Sequence, residues 1–228
     1  VASRIFLYDL YHRVGISTNG RKGKPYSHLS KYLEVCKKAE KMIQSIGDGF
    51  DLEKLNNAIK PERDMLFNYL GIKTLYDRYL LKDRENNPIE LPQHMFMGVA
   101  MFLAQNESDK NEKAIQFYDV ISKFEVMLAT PTLSNARTNR HQLSSCYIGS
   151  SPDNIEGIFH GYEEMALLSK YGGGIGWDWN EIRALGGYID NTKGAASGTI
   201  PFLKINNDIA IAVDQLGKIS APSYRNVA

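Results

Sequence analysis

The stretch "LSSCYIGSSPDNIEGIFHGYEEMALLSKYGGGIGWDW", residues 143–179, decides the fold class. Its first six residues have the composition of a short strand, and the alternation of Ile175, Trp177 and Trp179 predicts a second one. An apolar helical stripe separates the two strands, and Pro201 opens another amphipathic helix further on. The order strand, helix, strand, helix predicts the start of an α/β domain.

The chain before this stretch is predicted to be helical, so we expect a helical domain over 1–128 and an α/β part over 129–228. Apolar periodicity predicts helices over 2–15, 27–47, 64–81, 93–105 and 111–128. Residues 129–142 are polar and turn-rich, which indicates a functional loop. Cys36 lies on an apolar stripe and is expected to be buried, whereas His94 is interpreted as a surface or capping residue.

Composition excludes several classes of protein. The 228 residues include 27 basic and 26 acidic side chains, and a net charge of +1 does not favour direct binding to nucleic acid. No apolar run is long enough to cross a membrane, and the N-terminus lacks the pattern of a signal peptide. The low cysteine content favours a reducing compartment, so we expect a cytoplasmic protein.

The sequence shows no metal-ligand set, because five scattered histidines and two cysteines have no spacing suited to zinc. The glycine run "GGGIG" at 172–176 follows a helix and lacks both standard phosphate-loop patterns. Taken alone, it indicates a tight turn or a close approach of the backbone.

The thiol of Cys146 is open to several interpretations from the residues alone: core packing, a remnant of a metal site, a disulfide, or half of a redox couple. Strand alternation sends Ser145 and Cys146 to opposite faces. Both can then serve one ligand only if Ser145 uses its backbone or the strand is irregular.

Charged residues flank the predicted central helix. Asp153 is expected to cap its first turn, with Glu156 completing a capping box, and Lys170 closes its last turn. Lys170 and Arg183 have the chemistry to grip a polyphosphate while Asp153 accepts a sugar hydroxyl. The alternative, a surface salt bridge plus a helix cap, is modestly favoured by spacing alone.

Several separate motifs, in order, resemble the large (alpha) subunit of class I ribonucleotide reductase. They are "TPTLSNARTNRHQLSSCYI" at 130–148, "DNIEGIF" at 153–159, "LLSKYGGGIGWDWNEIRALGGYI" at 167–189 and "GTIPFLKINNDIAIAVDQ" at 198–215. The resemblance implies a helical domain followed by the first strands and helices of a ten-stranded α/β barrel.

The resemblance implies radical reduction of ribonucleotides to deoxyribonucleotides. In the family, a thiyl radical removes the 3′ hydrogen, the 2′ hydroxyl leaves as water, and a cysteine pair supplies electrons by forming a disulfide. Cys146 matches one member of that pair. Thr130, Ser145 and Gly174 match substrate-binding positions, with Thr130 at the phosphates.

The resemblance also implies an allosteric site for a deoxynucleoside triphosphate or ATP. Its matched positions are Asp153, Asn154 and Ile155 for ribose and base, Lys170 and Arg183 for phosphates, and Asp190 and Asn191 in the loop 190–197 that relays effector identity.

The implied partners are a second copy, through helices 154–170 and 201–215, a small (beta) subunit with a di-iron or manganese centre, and thioredoxin or glutaredoxin. No cofactor is expected to bind this chain directly. The radical-cysteine segment and the second reducing cysteine of the family are missing, so we expect a fragment that is inactive without the C-terminal remainder. The alternatives are a non-catalytic nucleotide-binding regulatory module and a helical interaction protein in which Cys146 is structural.

Overall fold

The chain forms two compact units. The computed structural model describes residues 1–17, 25–170, 173–190 and 194–213. The first unit ends at Leu143 and the second begins at Ser144, whereas we expected a boundary after Leu128. Residues 129–143 belong to the first unit because Leu133 and Ala136 are buried in its hydrophobic core.

The first unit is helical, as predicted. Its elements are α1 (Ala2–Ser17), α2 (Leu29–Lys38), α3 (Leu52–Ala58), a 3-10 helix (Pro61–Leu66), α4 (Tyr69–Arg78), α5 (Pro92–Ala104), α6 (Lys110–Ser122) and α7 (Thr130–Asn135). Helix α5 is apolar on all sides and almost every one of its side chains is buried, so it forms the centre of this unit. Cys36 is fully buried in the same core, which confirms the prediction for this residue.

Three predicted helices are shorter in the structure because local backbone conformation ends them. The helix predicted over 111–128 ends at Ser122, and Phe124 just after it adopts a left-handed φ of 62°. The helix predicted over 27–47 ends at Lys38, since Glu40 adopts a left-handed φ of 58°. The helix predicted over 64–81 is divided, because Phe67 is extended and the Asn68 side chain caps α4.

The segment predicted as a functional loop, 129–142, contains helix α7. Pro131 lies in its first turn, where a missing amide proton has no cost. Just after the helix, Arg137 and Glu90 form an ion pair with 2.6 Å between Nη2 and Oε2, and both side chains are fully buried. The polar composition of the segment did not indicate that it packs in the core, because the charge of Arg137 is neutralised there by a buried partner.

His94 is buried, so its interpretation as a surface or capping residue is wrong. Its ring stacks on Tyr32 with 4.5 Å between centroids, and Nε2 lies 3.1 Å from the carbonyl oxygen of Ser27. Burial lowers the pKa of His94 to about 3. This histidine is therefore a neutral core residue.

The second unit contains the predicted strand–helix–strand arrangement, which confirms the α/β start. Its elements are β1 (Cys146–Ser150), α8 (Ile155–Lys170), β2 (Gly174–Asp178) and α9 (Ile200–Ala212). The strands are parallel and paired from Cys146 with Gly174 to Ser150 with Asp178. A small core joins them to the helices, and Tyr162 donates a 2.8 Å hydrogen bond from α8 to the carbonyl oxygen of Phe202 in α9.

Helix α9 covers most of the predicted helix 201–215; residues 214 and 215 lie outside the described part of the chain. Within that described part, no helix has the length and apolar character needed to cross a bilayer.

Two strand glycines provide a matched test of this packing. A Cβ built on Gly149 would lie less than 3.0 Å from Trp177 ring atoms, whereas the nearest atom to a Cβ on Gly176 is 4.0 Å away. We expect Gly149→Ala to lower the unfolding free energy of the second unit by about 1–3 kcal/mol through overpacking. Gly176→Ala should be neutral or stabilising by about 0.5 kcal/mol.

The measurement is urea unfolding followed by the fluorescence of the two tryptophans, which both lie in the second unit. Equal effects of the two substitutions would contradict the packing described for Gly149.

Candidate functional site

Cys146 and Gly174 lie side by side at the first positions of the two parallel strands. The thiol of Cys146 is free and exposed to solvent. A Cβ built on Gly174 would lie 3.8 Å from the sulfur and 3.2 Å from the carbonyl oxygen of Ser145. The absence of a side chain at Gly174 therefore keeps the space beside the sulfur open.

Ser145 contributes both backbone and side chain to this end of the sheet. Its carbonyl oxygen accepts a 2.7 Å hydrogen bond from the amide of Gly174, and its hydroxyl lies 3.6 Å from the sulfur of Cys146. Strand alternation does not separate the two side chains, because β1 begins only at Cys146. We call Ser145, Cys146 and Gly174 the thiol cluster; it combines an exposed nucleophile, a hydroxyl and accessible backbone.

Thr130, the fourth predicted substrate residue, belongs to the helical unit. It is the first residue of α7, and its hydroxyl lies 3.1 Å from the hydroxyl of Tyr79. Its side chain is exposed.

Asp153 and Arg183 form an ion pair at the opposite end of the strands. Nε of Arg183 lies 2.6 Å from Oδ2 of Asp153, and both side chains are about one-third exposed. The same guanidinium donates to the carbonyl oxygens of Tyr188 at 2.7 Å and Asp153 at 3.3 Å, so three acceptors fix its position. The structure therefore contains the salt bridge of the alternative interpretation, with the arginine held where a ligand can reach it.

Asn154, and not Asp153, caps helix α8. The side-chain oxygen of Asn154 accepts a 2.8 Å hydrogen bond from the amide of Gly157, while the Asp153 carboxylate is engaged by Arg183. The capping box predicted for Asp153 and Glu156 is therefore wrong. The next residue, Ile155, is 56% exposed, which leaves an apolar side chain beside the ion pair.

Lys170 lies in the last turn of α8, whereas Arg183 pairs with Asp153 just before its first turn. A helix of 16 residues is about 22 Å long from first to last residue, so one chain holds the two cations at opposite ends. Asp190 is exposed, and Asn191 lies outside the described residues together with 192 and 193 of the predicted relay loop.

Sequence reasoning missed the pairing of Ser151, which directly follows β1, with Trp177 near the end of β2. Ser151 is fully buried and its hydroxyl accepts a 2.8 Å hydrogen bond from Nε1 of Trp177. The indole N–H of the partly buried Trp177 needs an acceptor, and the tryptophan itself was the available signal. The acceptor itself became identifiable only with the strand register. In the described ranges, no group of three or more potential metal ligands occurs.

Two family models match the chain, one for each unit. The ribonucleotide reductase all-alpha domain matches residues 65–141, and the ribonucleotide reductase barrel domain matches residues 144–221. The change from one model to the other coincides with the boundary between the structural units.

Curated relatives share the same family name. The chain is similar to "Ribonucleoside-diphosphate reductase subunit alpha" of Helicobacter pylori, with 67% identity over 95% of the chain and 27% of the relative. The protein of that name from Treponema pallidum is 37% identical over 95% of the chain and 26% of the relative. The one from Chlamydia trachomatis is 48% identical over 74% of the chain and 16% of the relative. The chain thus spans about a quarter of the length of the first of these relatives.

Proposed function

Because the chain belongs to the ribonucleotide reductase family, we propose that it forms part of a ribonucleoside-diphosphate reductase large subunit in the cytoplasm. In this proposal Cys146 is one of the two cysteines that reduce the ribonucleotide. The observation that carries it is the thiol cluster, in which an exposed sulfur lies beside a hydroxyl and a glycine. Thr130 is proposed to contact the substrate phosphates.

The proposed reduction requires a second thiol. Two thiols that become a disulfide release two electrons and two protons, which is the requirement for replacing the 2′ hydroxyl by hydrogen. Cys36 does not fit this role, since it is fully buried and burial raises the pKa of its thiol. We therefore propose that the second sulfur and the radical cysteine belong to polypeptide beyond these 228 residues, and that the chain alone is inactive.

An effector site is proposed at the start of α8, where Asp153 contacts the ribose, Asn154 and Ile155 contact the base, and Arg183 contacts the phosphates. The ion pair supports this proposal, because the carboxylate can accept hydrogen bonds from ribose hydroxyls and the fixed guanidinium can pair with a polyphosphate. Loop 190–197, which contains Asp190 and Asn191, is proposed to relay the identity of the effector.

A homodimer would explain the position of Lys170. Lys170 lies about 22 Å along α8 from the end of the helix near which Asp153 binds Arg183, so we propose that two copies combine the ends of their α8 helices in a shared site. Both α8 and α9 present large exposed apolar side chains, which are Ile155, Phe159, Leu167, Ile200, Leu203, Ile205 and Ile211. Such side chains are typical of protein interfaces. A small subunit and thioredoxin or glutaredoxin are the further partners proposed from the family.

The effector proposal predicts a large effect of one substitution. Arg183→Ala should weaken the binding of dTTP and dATP by about 10-fold to 100-fold, because a hydrogen bond to a charged group contributes about 1.5–3 kcal/mol. The measurement is isothermal titration calorimetry. The matched control is Arg84→Ala, which removes an exposed arginine from the helical unit and should leave binding unchanged. Equal heats for the wild type and Arg183→Ala would remove the phosphate role from Arg183.

A second candidate function is a nucleotide-binding regulatory module without catalysis. The burial of Cys36 favours it, since only one cysteine of this chain is accessible. This module would dimerise on adding dTTP without any complementing polypeptide, and it would remain inactive when the remainder of a large subunit is supplied. Restored reduction in that complementation experiment would support the first proposal.

A further inference from the structure

Ser151 is anchored to β2 by two hydrogen bonds directly after β1 ends. Its amide donates to the carbonyl oxygen of Asp178 at 3.1 Å, and its hydroxyl accepts from Nε1 of Trp177 at 2.8 Å. The residue is fully buried. An interaction between two neutral groups is most sensitive to deletion when it is buried, because the remaining donor is then left without a partner.

The indole of Trp177 occupies a slot between two glycines. A Cβ on Gly149 of β1, or on Gly161 of α8, would lie less than 3.0 Å from atoms of the ring. The built Cβ of Gly161 would also lie 3.0 Å from the hydroxyl oxygen of Ser151. The ring therefore packs against β1 and α8, and Ser151 meets it at the junction of these two elements.

The segment 152–157 connects this junction to the helix. It follows the anchored Ser151, carries Asp153, and ends at Gly157, whose amide is held by the side chain of Asn154. Arg183, which pairs with Asp153, follows β2 through the buried Ile182. The positions of both members of the ion pair are thus fixed relative to β2. Asp153 is fixed through the hydrogen bonds of Ser151, and Arg183 through the backbone that continues from β2.

We infer that Ser151 and Trp177 are positioning residues, whose hydrogen bond holds segment 152–157 so that Asp153 and Arg183 face a nucleoside triphosphate together. The inference rests on the proposed effector role of Asp153 and adds the device that orients it. Neither residue touches the nucleotide. They act by fixing where the segment leaves the sheet, which lowers the ordering cost of binding.

The test compares neighbouring serines. Ser151→Ala removes the acceptor of the indole, whereas Ser150→Ala removes an exposed hydroxyl one residue earlier, and Ser151→Thr retains a hydroxyl. We expect Ser151→Ala to raise the dissociation constant of dTTP about tenfold, corresponding to one lost hydrogen bond. Ser150→Ala should bind as the wild type does, and Ser151→Thr should recover most of the affinity.

Hydrogen exchange gives a second measurement that needs no nucleotide. Ser151→Ala should raise the exchange rate of the Gly157 amide about tenfold, while the Phe202 amide in the first turn of α9 serves as the internal control and should not change. A purely structural role would lower the melting temperature and leave the dTTP dissociation constant unchanged in the folded protein, and that result would overturn the inference.

The two measurements separate the inference from the function on which it rests. If the wild type binds neither dTTP nor dATP, the effector role of Asp153 fails. The exchange data then decide the positioning role alone: faster exchange at Gly157 but not at Phe202 supports it, and any other pattern overturns it.

Discussion

Replacing Arg137 by methionine is expected to lower the unfolding free energy of the helical unit by about 3–5 kcal/mol. The guanidinium is fully buried and donates to both carboxylate oxygens of Glu90, at 2.7 Å from Nε and 2.6 Å from Nη2. It also donates to the carbonyl oxygens of Leu133 and Tyr79. Methionine would leave a buried carboxylate without its counter-ion, and this cost exceeds the loss of a few contacts.

An exposed ion pair in the same unit provides the control. Arg84 contacts Glu40, but their side chains are 79% and 70% exposed, so Arg84→Met should change stability by less than about 1 kcal/mol. The measurement is urea unfolding followed by far-ultraviolet circular dichroism, which reports mainly on the helices. The double variant Arg137→Met with Glu90→Leu should recover much of the loss, because it removes both buried charges. A single Arg137→Met variant as stable as Arg84→Met would contradict the assignment.

The free energy of unfolding should also decrease steeply as the pH is lowered, because of His94. Its pKa is about 3 in the folded chain, against 6.5 for an ordinary histidine, since burial excludes the charged ring. Between these two pH values the unfolded chain binds a proton at this residue that the folded chain does not. His94 therefore lowers stability as the pH falls below 6.5, by about 1.4 kcal/mol per pH unit and about 5 kcal/mol in total.

The variant His94→Phe keeps an aromatic ring at this position and removes the titrating group. Unfolding free energies measured between pH 7 and pH 4.5 should fall less steeply for the variant than for the wild type. Burial raises the pKa of Asp64 and gives a pH effect of opposite sign, but this effect is common to both proteins and cancels in the difference. The exposed His12, replaced in the same way, should leave the slope unchanged. Parallel pH profiles for wild type and His94→Phe would show that His94 is not held neutral.

Periodicity predicted those features that depend on one segment alone. The strands, the helix between them and the burial of Cys36 follow from apolar spacing, which the packed structure preserves. Helix α7 was missed because its stability comes from Leu133 and from the ion pair of Arg137, whose partner lies 47 residues away. Long-range partners of this kind leave no periodic signal in the sequence.

In the candidate site, too, some features could be predicted from the sequence and others could not. The thiol cluster was predicted by resemblance, and the strand register then showed why Gly174 stands beside Cys146. The relation of Lys170 to Arg183 could not be predicted, because a contact 30 residues apart, between Asp153 and Arg183, decides which end of α8 the arginine occupies. Asn154 was passed over as the cap for a local reason, since two adjacent residues with similar side chains compete for that position.

The pair of strands has a further consequence for the behaviour of this polypeptide in solution. In the part of the chain that the structure describes, β1 and β2 have only each other as neighbouring strands, so the outer edge of each strand has backbone donors and acceptors that no further strand pairs. Ile148 stands 92% exposed in the middle of β1. Parallel strands normally have neighbouring strands and are covered on both faces. The unpaired edges of β1 and β2 can therefore pair with an extended peptide. Any polypeptide that supplies the next strand would be captured there, and at high concentration another molecule of this chain would do so.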